Sequence, residues 1–316
     1  MRLAKFAYKR AKDLEEAFSF YRGFDGKAFF LAGGTDLIPR LKLRMQEPAA
    51  LVDLKGIKEL QGIKREKGFV RIGSLVKLYD LKHTQNIRGS FPALWDALEA
   101  TSCETLQMRG TLGGNLLQET RCLFYNQSHF WRSAANDCLK MGGEQCNAIG
   151  GQACFSNYCS DLAPALLSLD AHAFLAGPQG ERRIPLHELY TGNGERPFRV
   201  LPGEIMTEII IPDQRSKGAY EKLTLRRSID YPLLGVAFSA VGETGRLSIG
   251  AVGPKPLFYA VDRFTREAIE QTAQAASDQA TPVTNTALPP LYRKRMVKVI
   301  AIRLMRKVFQ GEEKWK

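Results

Sequence analysis

Two glycine pairs, each followed by a polar residue and an apolar run, constrain the fold of this chain more than any other feature. "AFFLAGGTDL" (residues 28–37) is a short apolar strand entering a Gly-Gly turn, after which "TDLIPRLKLRM" resumes an apolar period suggesting a helix with Pro39 near its start. "TLGGNLLQ" (residues 111–118) repeats the apolar-Gly-Gly-polar-apolar pattern 80 residues later. Glycine has no Cβ, so its backbone N–H groups can approach an anion closely, and a helix starting just beyond adds its free N–H groups and dipole. Thr35 and Thr111 add hydroxyl donors. Two such loops could grip one diphosphate from opposite sides. Neither contains the GK[ST] of a phosphate-binding loop of the Walker type or the spacing G-x-G-x-x-G. The residues alone therefore predict a phosphate-bearing ligand and leave its identity open.

The rest of the chain reads as mixed α and β without the regular alternation of a doubly wound sheet, hence α+β. Helices are expected at "DLEEAFSFYR" with Asp13 as N-cap, "SLVKLYDLK", "FPALWDALEATS" with Pro92 in the first turn, and "DLAPALL". The Pro/Gly-rich passage "TGNGERPFRVLPGE" (191–204) precedes the strand "IMTEIIIP", and the boundary falls after it, giving domains 1–212 and 213–316. The second domain reads as the strands "GAYEKLTL", "LLGVAFSAVG" and "RLSIGAVG", then helices near 261–277 and 291–309.

The net charge of +12 raises the question of nucleic acid. Residues 291–316 hold nine Lys/Arg against two Glu, so more than half of the excess sits in one segment. There Val297, Ile300, Leu304 and Val308 fall at helical spacing, predicting a helix docked by its apolar side with a solvated basic face. No aromatic-interleaved basic stripe accompanies it, which argues against nucleic acid. No apolar run is long enough for a membrane span, and the amino-terminal residues do not read as a secretory signal. The expectation is a cytoplasmic protein with reduced thiols.

Five of the six cysteines lie within residues 121–159, in a stretch rich in Gly, Asn and Ser. With disulfides disfavoured, four thiolates could hold zinc or an iron–sulfur cubane. The spacing C-x15-C-x7-C-x7-C from Cys122 to Cys154 contains no C-x2-C pair and does not choose the metal. Gly142, Gly143, Gly150 and Gly151 would let the loop fold closely around such a site. His129 and Trp131 read as residues that pack this stretch onto the rest of the chain, and Cys103 as a buried thiol.

"FFLAGGTDLIPRLKLR", "RIGSLVKL", "MRGTLGGNLLQ", "SDLAPALLSLDA" and "EKLTLRRSIDYPLLGVA", in this order, resemble the FAD-binding subunit of the molybdenum hydroxylases, a family including xanthine and carbon monoxide dehydrogenases. The resemblance implies a two-part FAD-binding domain of the vanillyl-alcohol-oxidase (PCMH) type, followed by a smaller α+β domain. Carried over, Leu31, Ala32, Gly33, Gly34, Thr35, Asp36 and Leu37 would wrap the FAD diphosphate. Thr111, Gly114 and Asn115 would close the site from the other side, with Gln118 nearby. Asp161 would bond the ribityl or adenosine portion, the alternative being an N-cap for the helix that follows, and Lys222 would reach towards the isoalloxazine.

Relatives generally run from the GGN motif to the Asp-Leu-x-Pro-Ala-Leu motif with a short connection, whereas about 40 residues intervene here. "CLFYNQSHFWR" and the later cysteines resemble the flavin subunits of 4-hydroxybenzoyl-CoA reductases, in which the insertion (about 120–159) carries a [4Fe–4S] cluster. That likeness puts the ligands at Cys122, Cys138, Cys146 and Cys154, and leaves Cys159 free. It implies an electron-transfer subunit fed by a low-potential donor such as ferredoxin. Electrons would run through cluster and FAD to a [2Fe–2S] small subunit and a molybdopterin-binding large subunit, in a dimer of heterotrimers. The substrate would be dehydroxylated to benzoyl-CoA on a partner, as a step of aromatic degradation. The alternative is the flavin subunit of another molybdenum hydroxylase, passing electrons outward from its substrate.

Overall fold

A computed structural model describes residues 3–226 and 228–310; Arg227 and residues 311–316, the last of the basic segment, lie outside the described residues. Three sheets organise the described residues. The first has three parallel strands, with Ala50–Asp53 between Ala7–Arg10 and Ala28–Leu31, in register from Ala50 opposite both Ala7 and Ala28. Parallel neighbours need crossovers. The first is the helix Leu14–Gly23, which starts where the Asp13 carboxylate accepts from the Glu16 N–H at 2.8 Å and which buries Ala17 and Phe18. The second carries the short helix Leu37–Lys42.

The second sheet is antiparallel, in the order Ile63–Glu66, Phe69–Gly73, Ile205–Pro212, His172–Gly177, Gly180–Pro185. Between its second and third strands in sequence, the chain leaves to build the helices Pro92–Ala100, Leu112–Leu116 and Leu162–Ser168. Leu94, Leu98, Leu112, Leu116, Leu162 and Leu166 are fully buried there against Ile72, Ile209 and Ile211 of the sheet. The third sheet is a meander of Lys217–Leu223, Leu234–Val241, Thr244–Gly250 and Leu257–Val261. The strand Leu234–Val241 is buried on both faces, apart from its last residue. Phe238 packs with the helices Arg266–Gln279 and Pro290–Gln310, while Ser239 meets Ser168 of the helix Leu162–Ser168, Oγ to Oγ at 2.7 Å. The helix Pro290–Gln310 docks by Val297, Ile300 and Leu304, with Val308 partly buried, as the spacing predicts.

Residues 121–159 form an irregular lobe with the helix His129–Ala134. Its base is closed by reciprocal backbone hydrogen bonds between Arg121 and Asn157, at 2.7 and 2.8 Å. Buried Asn285 clamps it from the carboxy-terminal side: its amide donates to the Phe155 carbonyl (2.6 Å) and accepts from Asn157 (2.9 Å), and its own carbonyl accepts from the Leu123 N–H (2.9 Å). Packing by His129 and Trp131 is not what holds the lobe, since both are exposed and their neighbour Phe130 is 85% exposed. Arg132 holds it instead. Only 5% exposed, it donates to the carbonyls of Leu43 (3.2 Å) and Arg44 (2.7 Å), just beyond the first glycine loop and its helix.

Candidate functional site: a cleft between two glycine loops

The first loop leaves the strand at Leu31 and turns through Gly34 at φ +77°, a left-handed conformation that side chains disfavour. Gly33 is required for a different reason. A Cβ there would lie 2.1 Å from the Arg109 carbonyl oxygen, so the loop rests directly on the segment leading into the second glycine pair. That second pair differs from the first in conformation. It lies inside the helix Leu112–Leu116, whose N-cap Thr111 accepts from the Gly114 N–H at 3.2 Å. Gly113 is pressed onto Ser74, where a Cβ would come within 2.8 Å of that side chain.

Between the loops opens a cavity of about 500 Å³ lined by Ala32, Gly33, Gly34, Thr35, Asp36, Leu37, Thr111 and Gly114, and also by Arg40 and Glu119. A second cavity of about 170 Å³ shares Thr35, Asp36, Thr111 and Gly114 with the first and adds Asn115, Gln118 and Asp161. The glycine loops thus form the wall common to both spaces. Leu31 and Lys222 line neither of these two cavities, although Leu31 borders a third space with Gly33, Gly34 and Thr111. Leu31 is packed with Leu41 and Leu51, and Lys222 stands behind Asp161, its ammonium 3.1 Å from that carboxylate and 3.0 Å from the Ala100 carbonyl. Asp161 does not cap its helix, because the Ser160 hydroxyl accepts from the Ala163 N–H (3.0 Å) in that role. Burial pushes the Asp161 carboxyl up to about 6, against the pull of Lys222 and a 2.8 Å hydrogen bond from the Tyr220 hydroxyl.

A network of charges crosses the cleft wall. Arg40 lies 3.4 Å from both Asp36 and Glu119, Arg121 reaches Asp36 at 3.2 Å, and Lys140 reaches Glu119 at 2.7 Å. Burial raises the Glu119 carboxyl, but Lys140 and Arg40 outweigh it and leave the group below its ordinary range. Arg121 also stacks on Tyr231, 3.8 Å from the ring centre, beside the second cavity. The pattern of glycines and apolar residues carries no trace of Arg40, Glu119, Lys140 or Tyr231. Arg40 and Tyr231 lie within two of the quoted stretches, Glu119 directly after a third and Lys140 in the cysteine lobe, positions that sequence alone does not turn into a role.

Cys138, Cys146 and Cys154 are buried and Cys122 is half-buried. Burial pushes the Cys122 thiol up to about 11, with Cys154 and Cys146 adding to the effect; Cys154 is raised by burial too, with Cys146 and Cys138 contributing. The four expected ligands therefore share one electrostatic neighbourhood. Cys159 belongs to another. It lines the second cavity, and its charged neighbours are Arg121, Asp161, Arg293 and Lys222. Gly142 and Gly150 adopt φ of +85° and +73°, and Gly143 lies where a Cβ would meet the Asp137 carbonyl at 1.9 Å, so three of the four loop glycines are conformationally required. Among the described residues, however, no three His, Cys, Asp or Glu side chains are arranged around a common metal position. Cys103 is not buried: it is half-exposed, its sulfur 3.2 Å from the Thr105 hydroxyl.

The residues around the cleft fit a dinucleotide flavin. Gly114, Thr35 and Thr111 line both cavities, and the buried Arg40 Nε beside them has no hydrogen-bond partner among the described residues. Residues 4–214 match the family described as the FAD binding domain in molybdopterin dehydrogenase. The aldehyde oxidoreductase FAD-binding subunit PaoB of Escherichia coli is 31% identical over 306 residues, 92% of this chain and 95% of the relative. The glyceraldehyde dehydrogenase medium chain of Sulfolobus acidocaldarius is 25% identical over 96% of this chain and 98% of its own length. A solved carbon monoxide dehydrogenase from Hydrogenophaga pseudoflava superimposes with a TM-score of 0.78 at 25% identity, covering 98% of this chain and 99% of that one. The chain belongs to this family and is an FAD-binding medium subunit of the molybdenum hydroxylase type.

Proposed function

We propose that the chain is an electron-transfer subunit with two redox sites: FAD gripped between the glycine loops, and a [4Fe–4S] cluster held by Cys122, Cys138, Cys146 and Cys154. What supports the flavin is the cleft and the family match; what supports the cluster is the likeness of the cysteine insertion to 4-hydroxybenzoyl-CoA reductase flavin subunits, with three of the four thiols buried, although among the described residues no three of them are grouped around a common metal position. Four cysteine thiolates are a donor set suited to a cubane, and a redox subunit has a use for iron that it lacks for zinc. When bound, FAD supplies exchange of electrons in ones or twos, and the cluster would supply single-electron exchange. The protein's own part is to hold and shield. Asp161 is fixed by Lys222 and Tyr220 at the wall of the second cavity, and Asn285 and Arg132 anchor the cysteine lobe. Residues 1–212 would be the flavin domain and 213–316 the smaller domain. The names of the relatives, an FAD-binding subunit and a medium chain, support a complex of several subunits, and the family resemblance implies that the partners are a molybdopterin-binding large subunit and a [2Fe–2S] small subunit.

For direction and substrate, "CLFYNQSHFWR" favours a 4-hydroxybenzoyl-CoA reductase-like complex supplied by a low-potential donor. A second reading, oxidation of an aldehyde with electrons leaving through this chain, is favoured by the 31% identity with the aldehyde oxidoreductase subunit. The assembled complex, followed anaerobically by flavin absorbance, separates them. On the first reading, reduced ferredoxin reduces the flavin and 4-hydroxybenzoyl-CoA reoxidises it. Flavin reduction by aldehydes, with no reoxidation by the thioester, would establish the second.

A further inference from the structure

The cysteine lobe and the FAD cleft are separate stretches of sequence, yet side chains of the lobe reach the cleft wall, Arg121 from its base and Lys140 from between two of its cysteines. Lys140 lies between Cys138 and Cys146, and its side chain is 6% exposed. It crosses from the lobe to the cleft wall, where its ammonium sits 2.7 Å from the Glu119 carboxylate and 2.6 Å from the Thr120 hydroxyl, beneath the Tyr125 ring at 5.0 Å. Glu119 lines the larger cavity, and so does Asp36, whose carboxylate accepts from the Glu119 N–H at 3.2 Å.

Two carboxylates beside a diphosphate site are electrostatically adverse, because like charges at short range in a partly buried cleft are weakly screened. Here Asp36 and Glu119 are met by three cations, Arg40, Arg121 and Lys140. Arg40 comes from the helix that follows the first glycine loop, whereas Lys140 belongs to the cysteine lobe and Arg121 to its base. Without the lobe's cations, Arg40 alone among the described residues would be paired with these two carboxylates. The lobe therefore supplies part of the charge that makes the cleft hospitable to an anion.

We infer that Lys140 is a positioning residue of the FAD site: it neutralises Glu119 and holds it away from the bound diphosphate, so that the cysteine lobe completes the flavin pocket. The inference rests on the diphosphate lying between the glycine loops. Lys140 acts through Glu119, so removing the ammonium leaves an uncompensated carboxylate at the cavity wall, and removing both charges restores neutrality.

The test is a cycle of variants in the full-length chain, with the FAD dissociation constant read from flavin fluorescence and iron content measured in parallel. Lys140→Met should weaken FAD binding roughly ten-fold, the size expected for losing a partly buried charge-assisted contact. Lys140→Arg should bind within about two-fold of the parent, and Glu119→Gln combined with Lys140→Met should recover to the same range, as neutral replacements of a coupled pair do. Unchanged affinity in Lys140→Met, while Gly114→Val loses FAD, would overturn the inference and leave the loop site standing. Weakened binding that Glu119→Gln does not recover would make Lys140 a support of the lobe alone, and overturns it too. Full FAD binding by Gly114→Val would remove the loop site and the inference together.

Discussion

The Lys222 ammonium lies 3.1 Å from the Asp161 carboxylate, with less than a tenth of either side chain exposed. This pair ties the first strand of the carboxy-terminal meander to the helix Leu162–Ser168, and Tyr220 on the same strand adds a second bond to Asp161. A charge pair this far from water has lost much of its hydration, so its net contribution depends on those supporting bonds.

The pH dependence follows from Asp161. Burial raises its carboxyl from the ordinary 3.8 to about 6, so the folded chain holds this proton more tightly than the unfolded chain. Stability from this group is therefore greatest at low pH and falls as pH rises from about 4 to about 6. Relative to Asp161→Asn, the parent should lose about 2 kcal/mol between pH 4.5 and pH 7 in urea unfolding. Parallel profiles for the two proteins would contradict the burial of a carboxyl here.

The glycines should separate by role. Gly114→Val projects into the shared wall of the two cavities, where Thr111 Oγ1 at 2.8 Å is the protein atom that a Cβ would meet, so FAD should be lost at a stability cost of only about 1 kcal/mol, that of disturbing the Thr111 N-cap. Gly33→Ala forces the Arg109 carbonyl away from 2.1 Å, so it should lower stability by roughly 1–3 kcal/mol as well as FAD affinity. Equal stability losses in both variants would mean that Gly114 is a packing residue.

The thiols should divide four to one within the lobe. Replacing Cys122, Cys138, Cys146 or Cys154 with Ala should abolish iron binding, measured by metal analysis. Cys159→Ala should keep the iron and perturb the flavin absorption bands instead, since Cys159 lines the second cavity. Iron lost from Cys159→Ala but retained by Cys154→Ala would reassign the fourth ligand.

Asn285 offers a purely structural check. Its amide satisfies the Phe155 carbonyl and meets Asn157 in a buried setting, so Asn285→Ala should cost roughly 2–3 kcal/mol in chemical denaturation. The lobe should then become more open to proteolysis near Phe155 than it is in the parent. An unchanged cleavage pattern would show that Arg132 and the Arg121–Asn157 pairing suffice.

The glycine loops were legible because backbone constraints leave few residue choices: Gly34 needs positive φ, and Gly33 and Gly113 need close approach. The docking of the last helix was legible because 3.6-residue periodicity writes the buried face directly into Val297, Ile300 and Leu304. Arg132 was not, since a charged residue beside Phe130 and Trp131 looks like the solvent face, yet it is the aromatics that are exposed. Lys140 was hidden for the same reason. Its role comes from Glu119, 21 positions away, and no local pattern links the two. The partners of Lys222, Asp161 and the Ala100 carbonyl, were not legible either, because a motif match gives a position and not the direction of a side chain.

The central claim is that one chain carries both a flavin and a four-cysteine cluster, and cofactor analysis tests it most directly. Chain purified without oxygen should contain about one FAD, four iron and four acid-labile sulfide. FAD with zinc in place of iron, or FAD with no metal in the anaerobic protein, would contradict the account and leave a flavin subunit whose cysteine lobe has no redox role.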